Sequence, residues 1–206
     1  MITIVDYGLG NLGSIKNAFD KLNINSVISS SAKEIEKATG IIFPGVGAAG
    51  AGMKNLREMG LDEIIESLIR VEKPLLGICL GMQLFMSFSE EGNVNCLNLI
   101  NGNVRRFNTK FKVPQTGWNQ VKKNRASKLL KGINNNSNFY FVNSYYCDPF
   151  DKKIVKGVTE YGQTFCSVFE KKNIFGVQFH PEKSGENGSQ LLKNFTDIVY
   201  ENTTCS

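Results

Sequence analysis

Short apolar segments alternate with helical segments through the first half of the chain, and this alternation restricts the fold more than any other feature. Four segments read as strands: Ile2–Val5, the short Ser26–Ile28, and the buried runs Ile41–Phe43 and Leu75–Ile78. Helices are predicted on the apolar stripe Leu12, Ile15, Phe19 and Leu22, at Glu34–Ala38, near Met53–Met59, at Leu61–Arg70 and at Leu80–Phe88. Short buried strands joined by helices predict an α/β fold whose parallel sheet is covered on both faces.

The pattern changes after about residue 95, where strands follow one another directly. They are predicted at Asn103–Phe107, Gly117–Val121, Phe139–Cys147, Ile154–Thr159, Thr164–Phe169 and Ile174–Phe179. A last helix, about Gly188–Asn202, carries Leu191, Leu192, Phe195, Ile198 and Val199 on one face. No linker or repeat divides the chain, and its 206 residues suit one domain over residues 1–206.

The only histidine in the chain, His180, stands two residues before Glu182. In extended chain, residues i and i+2 face the same side, so the imidazole and the carboxylate can lie side by side. Cys79 lies in Gly77-Ile-Cys-Leu-Gly81, which has the form of a nucleophile elbow between a strand and a helix. A buried structural cysteine is the plainer interpretation of the motif alone. Together the three residues predict a Cys–His–Glu triad.

A glycine-rich segment, Pro44-Gly-Val-Gly47, follows another buried strand and is predicted to lie at the same edge of the sheet as Cys79. It is either an ordinary turn that ends a strand or a source of backbone amides for an oxyanion. In the second case Val46 or Gly47 would supply a donor, beside the amide of Leu80, which follows the nucleophile.

Composition and charge exclude several other classes. Five cysteines are widely spread, at positions 79, 96, 147, 166 and 205, with no Cys-x-x-Cys and no spacing suited to zinc. This favours a reduced, cytoplasmic setting without a bound metal. The N-terminus reads as a strand, no run is long enough to span a membrane, and the net charge of +5 is scattered without a nucleic-acid motif.

Taken together, the motifs resemble the class I, or triad, glutamine amidotransferases, which implies a flavodoxin-like, mostly parallel sheet with added strands in the second half. Further blocks resemble the glutaminase subunits of imidazole glycerol phosphate synthases, a branch of that family. These blocks are Asp6-Tyr-Gly-Leu-Gly-Asn11, Pro114-Gln-Thr-Gly-Trp-Asn119, Tyr140-Phe-Val-Asn-Ser-Tyr-Tyr146 and His180-Pro-Glu-Lys-Ser184. The resemblance extends over the whole chain.

The resemblance implies a role for each matching residue. Cys79 would attack the amide of glutamine, His180 would move the proton, and Glu182 would hold the imidazole. The oxyanion would be bound by the amides of Val46 and Leu80. Glutamine would be held by Gly47, Gln83, Ser144 and Tyr145. A separate (β/α)₈-barrel synthase subunit would contact the turn 6–11, including Asn11, and Trp118, Asn119 and Tyr140. No cofactor is implied.

Some positions depart from the family pattern. Histidine is expected where this chain has Gln115 and Asn143, and an aromatic residue is more usual than the small residues at 48–52. These departures leave open a paralogue that supplies ammonia to another acceptor, such as an enzyme making amidino groups on surface sugars. A cysteine peptidase or chaperone-like protein of similar fold, and a binding module, are less well supported by the motifs.

Overall fold

The computed structural model describes residues 1–108 and 110–204, and the predicted free cysteine Cys205 lies outside that part of the chain. Its strands are β1 Ile2–Val5, β2 Ser26–Ser29, β3 Gly40–Phe43, β4 Leu75–Ile78, β5 Met86–Ser89, β6 Val94–Asn95, β7 Ile100–Arg106, β8 Gln115–Lys123, β9 Ser137–Asn143, β10 Tyr145–Pro149, β11 Val155–Glu160, β12 Thr164–Lys171 and β13 Ile174–Val177. Its α-helices are α1 Leu12–Lys21, α2 Ala32–Lys37, α3 Ala49–Glu58, α4 Leu61–Arg70, α5 Leu80–Leu84 and α6 Gly185–Thr204. Short 3₁₀ turns cover Lys152–Ile154 and Pro181–Lys183.

Five strands form the parallel part of the sheet, in the order β2-β1-β3-β4-β13. Because the strands are parallel, their carboxyl ends lie at one edge, where open α/β sheets bind ligands. The segments that follow β1, β3, β4 and β13 therefore meet there. The predicted parallel sheet with helices is confirmed.

The remaining strands extend the sheet beyond β13. Strand β12 pairs antiparallel with β13, and the sheet continues through β10, β7, β5 and β6. A branch leaves β12 through β11 and β8 and ends at the β8–β9 ladder. The added strands predicted for the second half are thus present, and they place β9 beside the carboxyl end of β13.

Alternate side chains of the parallel strands point to opposite faces, and each face has its own buried cluster. One contains Ile4, Ile42 and Leu76 together with Phe19 of α1 and Phe195 of α6. The other is built on α3, α4 and α5 and includes Ile41, Phe43, Met53, Leu56 and Ile65. Burial on both faces accounts for the uninterrupted apolar runs of these strands. No helix in the described part of the chain is long and apolar enough to cross a membrane.

One predicted element was partly wrong in kind, and another was wrong in its division. The predicted helix Leu80–Phe88 ends at Leu84, and Met86–Ser89 is a strand, because its backbone pairs with β7. The predicted strand Phe139–Cys147 is two strands that part at Ser144, since β9 pairs with β8 while β10 pairs with β7.

The helix predicted near Met53–Met59 begins earlier, at Ala49. The Ala49 N–H donates to the Glu91 carboxylate at 2.8 Å, which satisfies one free amide at the start of the helix. The run of small residues at 48–52 is therefore mostly helical, and the irregular segment after β3 is confined to residues 44–48.

Candidate active site

Cys79 stands directly after β4, at a sharp turn into α5. Its φ is 54° and its ψ is −111°, a strained conformation for a residue other than glycine. The flanking glycines allow the turn, since a Cβ placed on Gly81 would lie 1.9 Å from the Phe43 carbonyl oxygen, and one on Gly77 would lie 2.7 Å from the Met82 nitrogen. The Cys79 N–H donates to the Val177 carbonyl at 2.8 Å, so the turn is fixed to the end of β13.

His180 lies near Cys79 because β13 pairs directly with β4 and ends at Val177, three residues before His180. The His180 N–H donates to the Tyr140 carbonyl at 2.9 Å, which ties this segment to β9. The imidazole Nδ1 lies 2.9 Å from Glu182 Oε1, and the side chains are 5% and 0% exposed, respectively. The predicted proximity of the imidazole and the carboxylate is therefore present in the structure.

Cys79 also lies near enough to the imidazole to affect its charge. Burial alone would lower the pKa of His180, but the hydrogen bonds and charges of Cys79 and Glu182 outweigh burial and raise the pKa from 6.5 to about 10. A histidine with this pKa carries its proton at neutral pH. A positively charged imidazole next to the sulfur stabilises a thiolate, the nucleophilic form of cysteine.

Two further groups contact the sulfur. Cys79 Sγ donates to the Val142 carbonyl at 3.8 Å, and Gln178 Nε2 donates to Sγ at the same distance. Gln178 is fully buried and accepts a hydrogen bond from Gln83 Nε2 at 3.0 Å. Sequence reasoning missed Gln178, although its position two residues before His180 could have drawn attention to it. Its amide fixes the sulfur from the side of the sheet.

The other described cysteines have a different environment. Burial raises the pKa of Cys96 to about 11 and that of Cys166 to about 12, and it raises the pKa of Cys147 as well. These thiols therefore stay protonated near neutral pH. None of the three lines the cleft at Cys79.

A cleft of about 320 Å³ opens over the sulfur. It is lined by eight of the predicted residues: Val46, Gly47, Cys79, Leu80, Gln83, Ser144, Tyr145 and His180. Lining residues without a predicted role include Glu91 and Lys183. Glu182 lies behind His180. The elbow, the glycine-rich segment after β3 and the junction of β9 with β10 thus share one cavity, as expected for ends of neighbouring strands.

The two predicted oxyanion donors do not converge in this structure. The Leu80 N–H donates to the Gly45 carbonyl at 3.3 Å, so this amide is already engaged. In a trans peptide the C=O and N–H groups point in opposite directions, so the Val46 N–H of the same peptide points away from Leu80. The Gly45–Val46 peptide would have to rotate before both amides could bind one oxygen.

The residues predicted to contact a partner lie outside the cleft. Trp118 is 60% exposed. Its ring packs in an edge-to-face arrangement with that of Tyr140 across the β8–β9 ladder, with ring centres 6.0 Å apart. Lys183 Nζ lies 5.9 Å from the centre of the Tyr140 ring. The Asn119 amide group donates to the Glu160 carbonyl at 2.9 Å, and Asn11 precedes the first turn of α1 without capping it by its side chain.

The two departures from the family pattern lie opposite each other. Gln115 and Asn143 are Cα partners in the β8–β9 ladder, and both are buried. Asn143 Nδ2 donates to the Tyr145 carbonyl at 3.0 Å. Both polar atoms of the Gln115 side chain, and Asn143 Oδ1, have no hydrogen-bond partner among the described residues. The two positions at which histidine was expected are therefore paired with each other, at the rim of the cleft.

Comparisons with known proteins identify the family of this chain. The family model described as "Glutamine amidotransferase class-I" matches residues 3–199. The imidazole glycerol phosphate synthase subunit HisH 2 of Methanococcus maripaludis is 48% identical over 198 residues, covering 95% of this chain and 98% of the relative. Subunit HisH of Haemophilus influenzae is 48% identical over 96% of this chain and 98% of its own length.

Solved structures share the fold. A crystal structure described as a glutamine amidotransferase superimposes with a TM-score of 0.77 at 16% identity, covering 97% of this chain and all of that one. A glutamine amidotransferase of Thermotoga maritima gives a TM-score of 0.63 at 17% identity, over 98% and 84% of the two chains. The chain is therefore a member of the class I glutamine amidotransferases, in the branch of the imidazole glycerol phosphate synthase subunits called HisH.

Proposed function

We infer that this chain is the glutaminase subunit of imidazole glycerol phosphate synthase. It hydrolyses glutamine to glutamate and ammonia, and the ammonia passes to the synthase subunit, which forms imidazole glycerol phosphate and an aminoimidazole carboxamide ribotide in histidine biosynthesis. The observation that carries this conclusion is the approach of Cys79, His180 and Glu182 at one cleft, in a chain nearly half identical to HisH subunits over almost its whole length.

In the proposed reaction, Cys79 Sγ attacks the side-chain carbonyl carbon of glutamine. The C–N bond breaks, His180 gives its proton to the departing nitrogen, and ammonia leaves a glutamyl thioester. Water, deprotonated by His180, then hydrolyses the thioester to glutamate and restores the thiolate. Glu182 orients the imidazole and stabilises its charged form, as the carboxylate does in other triads.

The oxyanion formed in each step is assigned to the amides of Leu80 and Val46. The hydrogen bond between the Leu80 N–H and the Gly45 carbonyl supports an inactive arrangement of the loop in the isolated chain. Rotation of the Gly45–Val46 peptide would free the first amide and bring in the second. One such donor lowers the activation barrier by roughly 3–4 kcal/mol.

Glutamine itself is assigned to Gly47, Gln83, Ser144 and Tyr145, all of which line the cleft. Glu91 is added to this set, because it is the only acidic side chain among the described residues that line the cleft. A carboxylate there attracts the α-ammonium group of the substrate. It also accepts the Ala49 N–H, so bound substrate and the start of α3 share one anchor.

The partner is proposed to be a (β/α)₈-barrel subunit that docks on the face formed by Asn11, Trp118, Asn119 and Tyr140. Large exposed aromatic side chains such as Trp118 are enriched at interfaces between proteins. The complex is assigned to the cytoplasm, where a reactive thiol remains reduced.

The test measures glutamate release by the purified chain alone, and with the cyclase subunit of the histidine pathway plus its nucleotide ligand. We expect slow turnover alone and a rate about 10²–10³ times higher in the complex, the effect of one oxyanion donor. Cys79→Ala should remove activity in both states while leaving the complex intact. The paralogue that serves another acceptor is less favoured, and it would gain support only if the cyclase neither bound nor activated the chain.

A further inference from the structure

Tyr7 holds the loop that carries the predicted oxyanion donors. It follows β1, is completely buried, and stacks on Phe43 with ring centres 4.9 Å apart and planes 3° from parallel. Its hydroxyl donates to the Pro44 carbonyl at 2.6 Å. A Cβ placed on Gly45 would lie 2.5 Å from the Tyr7 oxygen and 2.8 Å from the Gly81 nitrogen, so this end of the loop is clamped.

The turn that contains Tyr7 runs alongside the same loop. A Cβ on Gly10 would lie 3.3 Å from Pro44 Cγ, and a Cβ on Gly47 would lie 3.9 Å from Leu9 Cδ2. The turn therefore lies close to the loop at Pro44 and near Gly47. The Tyr7 carbonyl in turn accepts a hydrogen bond from Asn55 Nδ2 of α3 at 2.9 Å.

The clamp limits where the loop can move. Tyr7 fixes the Pro44–Gly45 peptide, whereas Val46, Gly47 and Ala48 are exposed. The Gly45–Val46 peptide is thus the first that can rotate, and its carbonyl is the group that engages Leu80. Burial, with a smaller effect of the charge of Cys79, raises the pKa of Tyr7, so the hydroxyl keeps its proton and remains a donor.

We propose that Tyr7 is the positioning residue that transmits docking of the synthase subunit, on the turn 6–11, to the oxyanion loop. The proposal rests on the proposed function. A partner that shifts the turn displaces the Tyr7 hydroxyl, and the hydroxyl moves Pro44. The hydrogen bond between Leu80 and Gly45 then opens, and the next peptide rotates into its active position. Because the Tyr7 side chain is buried, it acts through Pro44 without contacting substrate or partner.

The test substitutes Tyr7→Phe, which keeps the ring stacked on Phe43 and removes only the hydroxyl. The matched control is Thr196→Val in α6, which removes another buried hydroxyl that donates to a carbonyl, that of Leu192, at 2.9 Å. Both variants are assayed for glutaminase kcat and KM, alone and in the complex, and for affinity to the synthase.

For Tyr7→Phe we expect the ratio of complexed to free kcat to fall about tenfold, the effect of one ordinary hydrogen bond. The turnover of the free chain, its KM and its affinity for the synthase should stay within about twofold of wild type. A twofold change corresponds to less than half of the free energy of one ordinary hydrogen bond. Thr196→Val should keep the wild-type ratio. A purely structural role for Tyr7 would instead lower free and complexed turnover together, and that result, or an unchanged ratio, overturns the proposal.

A second measurement needs no variant. Amide hydrogen exchange of the wild-type chain should change on docking in both the turn 6–11 and the loop 44–48. A change in the turn alone would overturn the proposal. Failure of the proposed function is recognised separately, because the wild-type chain would then neither bind the synthase nor be activated by it.

Discussion

The candidate site contains a single imidazole, and both of its neighbours raise its pKa. His180 is buried, which disfavours its cation, yet Cys79 and Glu182 more than offset that effect. The same three groups form a chain from sulfur to carboxylate. At the residue scale, the site is therefore a buried imidazole that is held by a carboxylate on one side and has the Cys79 sulfur on the other.

Alkylation should distinguish Cys79 from the other described cysteines. With iodoacetamide at pH 8, we expect Cys79 to react first, since a thiol of pKa about 11 such as Cys96 is only about one part in a thousand thiolate. Peptide mass spectrometry over time measures the order, and added glutamine should slow the reaction at Cys79. Cys96→Ser is the matched control and should leave the fast phase unchanged. Faster labelling of Cys96 or Cys166 would contradict the assignment.

The lone histidine also permits a direct titration. In tag-free protein, the imidazole NMR signal should titrate near pH 10, and Cys79→Ala or Glu182→Gln should each lower the pKa. Because the folded pKa is raised, the imidazolium contributes fully to stability below pH 6.5, and this contribution is lost as the pH rises through about 10. A wild-type pKa near 6.5 would mean that the two neighbours do not support the charge.

The residues proposed for the triad could be singled out from sequence because their spacing is local or their motif is sharp. His180 and Glu182 are two apart, and Cys79 is framed by two glycines. Glu91 could not be found in this way, since only folding brings its segment to the cleft. Gln178 had one signal, its position two residues before His180, but its contact with the sulfur depends on the pairing of β13 with β4. The hydrogen bond from the Leu80 N–H to the Gly45 carbonyl could not be predicted either, because it depends on the orientation of one peptide and not on the residue types.

At the scale of elements, the site depends on close packing between β3 and α5. The Phe43 carbonyl lies against Gly81, so the nucleophile turn and the start of the oxyanion loop are in direct backbone contact. A displacement of either segment would therefore also displace the other.

Glycine-to-alanine substitutions test this packing. Gly81→Ala would place a Cβ 1.9 Å from the Phe43 oxygen, and we expect it to lower the free energy of unfolding by about 3 kcal/mol. Gly13→Ala is the control, because Gly13 is exposed within α1 and its Cβ would meet nothing within 4 Å. That change should raise the free energy of unfolding by about 0.5–1 kcal/mol. Urea unfolding measures both, and similar values for the two variants would argue against the contact.

Element boundaries were predictable where a short apolar run is bounded by polar or turn-forming residues or by a sharp motif, as for β1, β3 and β4. They failed at Met86–Ser89, where an apolar stretch suits either a helix or a strand and pairing with β7 decides. They failed again at Ser144, where the chain changes partner strands between two apolar and aromatic runs that read as one strand. In both cases tertiary pairing overrides the local pattern.

At the scale of the whole molecule, two ends of the structure carry exposed aromatic residues with different expected roles. Trp118 lies on the β8–β9 ladder beside Tyr140, whose backbone holds His180. Tyr200 follows Val199, which packs on Gly40 at the opposite edge of the parallel sheet. The pair therefore allows the partner face to be tested against a distant surface.

Trp118→Ala should weaken binding of the synthase subunit by about 2 kcal/mol or more, as expected for an aromatic anchor of an interface. Tyr200→Ala should leave the affinity unchanged. Titration calorimetry with the purified subunits gives both values, together with a check that each variant unfolds at the wild-type temperature. Equal affinities for wild type and Trp118→Ala would move the docking face elsewhere.

The position of β13 in the sheet affects how the site forms while the chain is being synthesised. The strand lies between β4 and β12, although it is synthesised after both of them. While the ribosome is still adding residues, Cys79 has already emerged, but its base and its carboxylate have not. If Cys79 and His180 have the proposed roles, a nascent or prematurely terminated chain holds the nucleophile without its base, and we expect the capacity to attack glutamine only once β13 joins the two halves of the sheet.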